Sequence, residues 1–156
     1  MNLYKNVYRV GNSDNDKYML SVSLMNKGYT AFMFELVKLN SDDKASGMAE
    51  FFLGIDDARI ISNHILNYKF QLLPFDRIRG SQGSDKARAL RISAKDYNNC
   101  SIQIKNGSGD VKNGIRLLSK VDTNYFYNCN FEELIIIFHK INSYIHIFDY
   151  KNLNQV

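Results

Sequence analysis

The glycine-rich stretch from Cys100 to Lys120 is the first place where the sequence could carry chemistry. A Walker phosphate loop has a glycine, four further residues and a second glycine, followed by lysine and serine or threonine where a helix begins. Gly109 and Gly114 have this spacing, but Ile115 and Arg116 follow them and continue as an alternating strand. The stretch therefore does not predict a nucleotide-binding loop.

Other titratable residues do not match a catalytic or metal-binding motif. His139 and His146 are seven residues apart, whereas a His-Glu-x-x-His metal site needs histidines at i and i+4. The pairs Asp42-Asp43 and Asp56-Asp57 are adjacent in sequence, so their side chains diverge and do not make an acid-base couple. We expect a binding protein and not an enzyme, with no metal and no cofactor.

Apolar periodicity predicts two copies of one unit, each with four strands followed by a helix. In the first copy the predicted strands are 6–11, 17–25, 29–39 and 47–54, and the predicted helix is 55–70 with Ile60, Ile61, Ile65 and Tyr68 on one stripe. In the second copy the predicted strands are 88–95, 100–106, 114–120 and 122–128, and the predicted helix is 131–150. Asn106-Gly107 and Asn113-Gly114 predict turns, because asparagine and glycine accept positive φ.

These elements predict an α+β fold of two ββββα repeats, with antiparallel sheets and helices packed between or behind them. The chain is expected to form a single domain over residues 1–156. Its repeats span about 6–69 and 88–150, and a polar, basic connection over 71–87 joins them.

Charge is unevenly distributed along the chain. The net charge is +4, but the segment from Lys69 to Lys120 has eleven basic and four acidic residues, an excess of +7. Such asymmetry favours a partner that is a polyanion. A solvated charged surface is the alternative that composition leaves open.

Strand alternation predicts which side chains of each sheet point away from the core. In the second copy they are Arg91, Ser93, Lys95, Ser101, Gln103, Lys105, Arg116 and Leu118, a set without an acid. In the first copy they are Lys17, Met19, Ser21, Ser23, Tyr29 and Met33. Cations suit phosphates, and flat or polarizable groups suit unpaired bases, so this pattern favours single strands. The alternative is that Tyr29 and Met33 cover a partner protein or a second layer of core.

A duplicated ββββα unit with basic, aromatic-bearing sheets resembles the Whirly-type fold and the PC4-like transcriptional coactivators, which bind single-stranded DNA. Residues 112–117, Lys-Asn-Gly-Ile-Arg-Leu, look like the Lys/Gly-aliphatic strand that precedes the PC4-like helix, and 44–48 is a similar segment in the first copy. The Lys-Gly-Lys-Ala-Ala-Leu motif of plant Whirly proteins is absent. The resemblance implies single-strand binding and a homo-oligomer.

We therefore predict a sequence-tolerant single-stranded DNA-binding protein, either of a phage, plasmid or other mobile element or a PC4-like regulator. The predicted contact residues are Lys17, Tyr29, Arg77, Arg79, Arg88, Arg91, Lys95, Gln103, Lys105, Lys112, Arg116 and Lys120. The alternatives are RNA binding and a protein-interaction module that docks a partner through the apolar C-terminal helix. No apolar run is long enough for a membrane span and no signal peptide is recognisable, so we expect a cytoplasmic protein.

Overall fold

The structure, a computed structural model, describes residues 1–9, 17–26, 30–80, 85–113 and 115–154. It is α+β, with the predicted order of two ββββα units. The first unit comprises β1 (Asn2–Arg9), β2 (Lys17–Asn26), β3 (Thr30–Leu39), β4 (Ala45–Gly54) and α1 (Ile55–Leu66). The second comprises β5 (Phe75–Gly80), β6 (Lys86–Asp96), β7 (Asn99–Lys112), β8 (Ile115–Cys129) and α2 (Phe131–Leu153). Each unit has its own antiparallel sheet, ordered β1-β2-β3-β4 or β5-β6-β7-β8.

The two sheets bury one face each, as strand alternation predicts. Leu20 and Val22 of β2 lie beside Leu36 and Phe34 of β3 and are fully buried. In the second sheet the buried residues are Leu90, Ile92, Ile102 and Ile104. Because successive side chains of a strand point to opposite faces, this burial fixes which residues of each strand face solvent.

The strand boundaries of the second unit differ from the predicted ones. The segment 71–87, predicted as a connection, contains β5, and the predicted strands 114–120 and 122–128 are one strand, β8. β5 lies at the edge of the sheet, and its sequence, FDRIRG, lacks the apolar alternation of a half-buried strand. The inward-facing residues Arg77 and Arg79 stand where a half-buried strand usually has apolar residues, and both pair with Asp57 of α1.

The predicted turn at Asn106-Gly107 is wrong. Both residues lie inside β7, where the register against β8 shifts. A Cβ at Gly107 would collide with the carbonyl oxygen of Lys120, so the glycine marks a bulge where the neighbouring backbone approaches closely. The chain turns instead after β7, where Asn113 has the φ of 54° expected of a turn asparagine. Gly114 lies outside the described residues.

The first helix is shorter than predicted. α1 ends at Leu66, and Tyr68 follows it with a φ of 55°. Ile61 and Ile65 are buried as the periodicity predicts, whereas Ile60 and Tyr68 are exposed and do not belong to the core stripe.

The second helix begins at a side-chain cap, and it extends three residues beyond the predicted end at 150. The side chain of Asn130 accepts a hydrogen bond from the Glu133 backbone N–H at 2.9 Å. The Glu133 carboxylate then accepts hydrogen bonds from the hydroxyls of Tyr4 in β1 and Tyr127 in β8. This cluster ties the start of α2 to strands of both sheets. The buried residues of α2 are Phe131, Leu134, Ile137, Phe138, Ile141 and Ile145.

The helices pack against each other and against the buried side of the first sheet. Phe138 of α2 stacks on Phe34 of β3 with ring centroids 6.1 Å apart, and Arg59 of α1 pairs with Asp149 of α2. Within the described ranges, neither helix combines the length and apolar character needed to span a bilayer.

Candidate nucleic-acid interface

The second sheet turns one face away from the core, and all four of its strands contribute side chains to that face. The register places Arg91 of β6 between Asp76 of β5 and Gln103 of β7, and Gln103 opposite Phe126 of β8. We call this surface the basic face; it consists of Asp76, Ile78, Ala89, Arg91, Ser93, Lys95, Ser101, Gln103, Lys105, Asn124, Phe126 and Asn128. Four predicted contact residues thus lie together: Arg91, Lys95, Gln103 and Lys105.

The basic face includes an acid, so the predicted acid-free surface is wrong. Arg91 Nε donates to Asp76 Oδ1 at 2.7 Å, and Arg91 Nη2 donates to Asp76 Oδ2 at 3.1 Å. About half of each side chain remains exposed. The carboxylate raises the pKa of Arg91 through these hydrogen bonds. The error follows from the missed strand β5, which carries Asp76.

Lysine ammonium groups supply the unpaired positive charge of this face. Within the described ranges Lys95 and Lys105 form no salt bridge, although the charge of Lys95 interacts with the neighbouring Asp96 carboxylate. Lys105 lies opposite Asn124, whose side-chain oxygen accepts a hydrogen bond from Gln103 Nε2 at 2.7 Å. Gln103 is only 8% exposed, so this bond fixes its amide within the surface. The face therefore presents lysine ammonium groups beside an amide whose orientation is fixed by a hydrogen bond.

Phe126 is a candidate contact residue that the sequence analysis missed. Its side chain belongs to the basic face, between Asn124 and Asn128, and is 44% exposed. The flanking Tyr125 and Tyr127 point to the opposite face, so aromatic residues occupy both sides of β8 and hide the alternation. The signal that could have found it is the Asn-x-Phe-x-Asn spacing, which places an aromatic ring among polar residues on one side of a strand.

Arg77 and Arg79 lie on the other side of β5, away from the basic face. Arg77 Nε donates to Asp57 Oδ1 of α1 at 2.8 Å, and Arg79 pairs with the other oxygen of the same carboxylate. The Arg77 guanidinium also lies 4.1 Å from the ring centroid of Phe75. These two arginines hold the start of α1 against β5, and their charge is partly neutralised.

Arg88 also points away from the basic face. Its Nη2 lies 2.9 Å from Glu50 Oε1 of β4, and its guanidinium lies over the Phe52 ring at 5.4 Å. The residue therefore connects the second sheet to the edge strand of the first sheet.

The first sheet is less suited to phosphate than the sequence indicated. Lys17 is only 4% exposed and pairs with Asp43 at 2.9 Å, while Tyr29 lies outside the described residues. Glu35 and Glu50 lie directly opposite each other on its outward face. That face also carries Met19, Ser21, Ser23 and Met33, as alternation predicts.

Three predicted contact residues lie on an extension of the second sheet. We call residues 107–112 of β7 and 115–121 of β8 the arm; most of it projects beyond Lys86, the first residue of β6. Lys112 is exposed near the tip, Lys120 lies 3.8 Å from Asp122, and Arg116 lies against Gly80 of β5. These cations belong to the arm and are not among the residues of the basic face.

Titratable groups elsewhere do not assemble into a metal site among the residues that the structure describes. Burial lowers the pKa of His64, and the nearby charges of Lys69 and Arg77 lower it further.

The chain matches no protein-family model and no curated protein significantly. The fold and the side chains of the basic face therefore carry the functional argument.

Proposed function

We propose that the protein binds single-stranded DNA through the basic face, with little dependence on base sequence. The observation that carries the proposal is the exposure of Phe126 on the same open sheet surface as Arg91, Lys95 and Lys105. Lysine and arginine attract phosphates and displace their counterions, and an exposed ring stacks on any unpaired base. Duplex bases are already stacked on one another, so the ring favours single strands.

The polar side chains around Phe126 support tolerance of sequence. Asn124 and Gln103 present amides that can donate to or accept from a base edge. Ser93 and Ser101 are hydrogen-bonded to each other at 2.8 Å and form a small polar surface next to Lys95. An amide both donates and accepts hydrogen bonds, so it can pair with the edge of any of the four bases.

RNA would contact the same cations and the same ring as DNA. It is therefore an alternative ligand of the basic face, and its binding is compared with that of DNA. A cytoplasmic location and a homo-oligomeric state, both predicted from the sequence, are part of this proposal. The cysteines Cys100 and Cys129 are free thiols, as a reducing compartment would keep them.

A protein-interaction role has its own supporting observation. On α2, Ile136 and Ile147 are exposed, and Tyr150 and Leu153 are exposed near its end. Residues 136, 147 and 150 fall close to one helical stripe, which is a geometry that a partner helix can cover. Ile135 and Tyr144, in contrast, pack against the core.

Fluorescence anisotropy over a salt series tests the proposal. The ligands are a labelled single strand of about 30 nucleotides, long enough for several contact sites, its duplex and the matching RNA. For three phosphate contacts, log K is expected to fall with log salt at a slope of about −2. The test variant is Lys95→Glu with Lys105→Glu, and the matched control is Lys44→Glu with Lys151→Glu, at exposed lysines outside the second sheet.

Loss of binding in the test variant alone supports the basic face as the site. Absence of binding at low salt, or equal loss in both double variants, overturns the proposal. If a partner protein binds with little dependence on salt, the α2 surface is the better candidate, because apolar contacts are not weakened by moderate salt.

A further inference from the structure

The arm bends over the basic face and returns to β5. The register between β7 and β8 shifts twice within a few residues, after Asn106 and after Ser108. Bulges of this kind bend a strand and increase its twist. The Gly109 N–H donates to the carbonyl oxygen of Asp85, and the Arg116 side chain lies against Gly80 at the end of β5. The arm thereby covers part of the sheet instead of extending into solvent.

A cleft of about 340 Å³ lies between the arm and the sheet. Ala89 contributes only a methyl group to the sheet side, which leaves room above it, while Leu118 and Val121 of the arm and Ile78 of β5 supply apolar walls. The volume is in the range of clefts that hold small organic ligands. A flat ligand fits this arrangement because apolar side chains lie on both sides of the space.

Polar groups of defined chemistry line the same cleft. The Gln103 amide is fixed by its bond to Asn124, which occupies one of its N–H groups and leaves its carbonyl oxygen and second N–H for a ligand. Lys105 supplies a cation without an ion pair within the described ranges, and Arg91 forms part of the rim with Asp76. An apolar slot with an amide and an ammonium group matches a base joined to a phosphate.

We propose that this cleft holds one unstacked nucleotide of the bound strand, an inference that rests on the proposed single-strand binding. The base lies between Ala89 and the arm residues Leu118 and Val121, its edge faces Gln103, and its phosphate lies near Lys105. The rest of the strand follows the open part of the basic face past Phe126. Binding of one nucleotide in the cleft fixes the position of the strand on the sheet.

The test uses 2-aminopurine, a fluorescent base whose quenching by acrylamide reports its exposure to solvent. Thymidine strands of about six nucleotides, a typical site size, carry the probe at each position in turn. At saturation with the full-length protein, we expect at least one position to be quenched several-fold less than in the free strand. The variant Ala89→Leu fills the cleft and should restore the quenching and weaken binding about tenfold, the loss of one base contact. Ala45→Leu, the same change at an exposed position of β4, should change neither.

Each outcome decides the inference. If anisotropy shows salt-sensitive binding of the strands but no position is protected, and Ala89→Leu binds as the unchanged protein does, the cleft is empty and only the inference fails. If the strands do not bind at low salt, the proposed function fails and the inference fails with it. A further measurement uses the free nucleotide 2-aminopurine riboside monophosphate. If the protein protects this nucleotide from acrylamide, Ala89→Leu abolishes the protection and strands do not bind, the ligand of the cleft is a free nucleotide and the inference is overturned. Stacking on Phe126 could also protect a base, so the quenching series is repeated with Phe126→Ala, which leaves the cleft lining unchanged. Protection that remains in Phe126→Ala supports the cleft even if Ala89→Leu does not fold, and protection that is lost in Phe126→Ala overturns the inference.

Discussion

Asp76 and Arg91 form a two-point ion pair between neighbouring strands at the edge of the basic face, with N···O distances of 2.7 and 3.1 Å. Both side chains are about half exposed, so water screens the pair and its contribution to stability is small. Its larger consequence is electrostatic, because it partly neutralises Arg91, one of the three cations of the proposed contact surface. An incoming phosphate must compete with Asp76 for the Arg91 guanidinium.

Asp76→Asn should therefore strengthen binding of single strands. Removing the negative charge leaves Arg91 available and lowers repulsion of the phosphates, and we expect an increase of about two- to fivefold at low salt, the scale of an exposed pair. Asp42→Asn changes the net charge equally at an exposed loop position outside the second sheet and should have little effect. Anisotropy titrations of the two variants make the comparison. Equal strengthening in both would mean that only net charge matters.

Phe126→Ala should weaken binding without changing its salt dependence. The ring contributes by stacking, which is worth about 1–3 kcal/mol per base, whereas the number of phosphate contacts stays the same. We expect a loss of about tenfold in affinity and an unchanged slope of log K against log salt. Tyr150→Ala removes another exposed aromatic side chain, from the end of α2, and serves as the control. An unchanged affinity for Phe126→Ala would show that the ring does not contact bases.

Alternation in β6 and β7 was enough to place Arg91, Lys95, Gln103 and Lys105 on one face, because buried apolar neighbours fix the orientation of every second residue. The same reasoning could not place charges whose partners are distant in sequence. Arg77 and Arg79 share Asp57 of α1, and Lys17 is buried with Asp43. Sequence periodicity indicates which residues of one strand are buried, but it does not indicate ion pairs between residues that are distant in sequence.

The edge strand β5 could not be recognised from sequence periodicity either. An edge strand whose inward side chains are arginines has no apolar alternation, so its sequence resembles a basic connection. The bulge at Gly107 likewise has the composition of a turn, since glycine serves both close backbone approach and positive φ. Two ββββα units were predictable because long strands and a capped helix leave local signals, whereas the arm depends on contacts between distant backbones.

The tyrosine cluster at the start of α2 should make the protein sensitive to alkali. Burial and the hydrogen bonds to Glu133 raise the pKa of Tyr127 and of Tyr4 well above the ordinary value of about 10. Below pH 10 both tyrosines are protonated in the folded and unfolded chains, and their contribution to stability is fully present. Above pH 10 the unfolded chain loses these protons first, so the free energy of unfolding falls as pH rises.

Urea unfolding at pH 7 and at about pH 11, on either side of the ordinary tyrosine pKa, tests this expectation. At pH 7 the free energy of unfolding of Tyr127→Phe should be about 1–3 kcal/mol lower than that of the unchanged protein, because the substitution removes a buried hydrogen bond. Between pH 7 and the higher pH, the free energy of unfolding of Tyr127→Phe should fall less than that of the unchanged protein. Burial also raises the pKa of Cys100 to about 11, a contribution common to both proteins. Tyr150→Phe, at an exposed position, should follow the unchanged protein at both values. A parallel decline of Tyr127→Phe and the unchanged protein would contradict the role of the cluster.

Gly107→Ala should destabilise the fold and straighten the arm. The added methyl group would meet the carbonyl oxygen of Lys120, a backbone atom that can move only if β8 moves away from β7. Overpacking of this kind costs about 1–3 kcal/mol. Gly54→Ala is the control, because a Cβ there has open space and the φ of −66° suits alanine; Gly54 is the N-cap of α1, so a smaller loss of about 0.5 kcal/mol is expected. Thermal unfolding of the two variants gives the difference in stability.

If the cleft depends on the bend of the arm, Gly107→Ala should also remove the protection of 2-aminopurine, while strands still bind to Lys95, Lys105 and Phe126. Retained protection would show that the bulge does not shape the cleft.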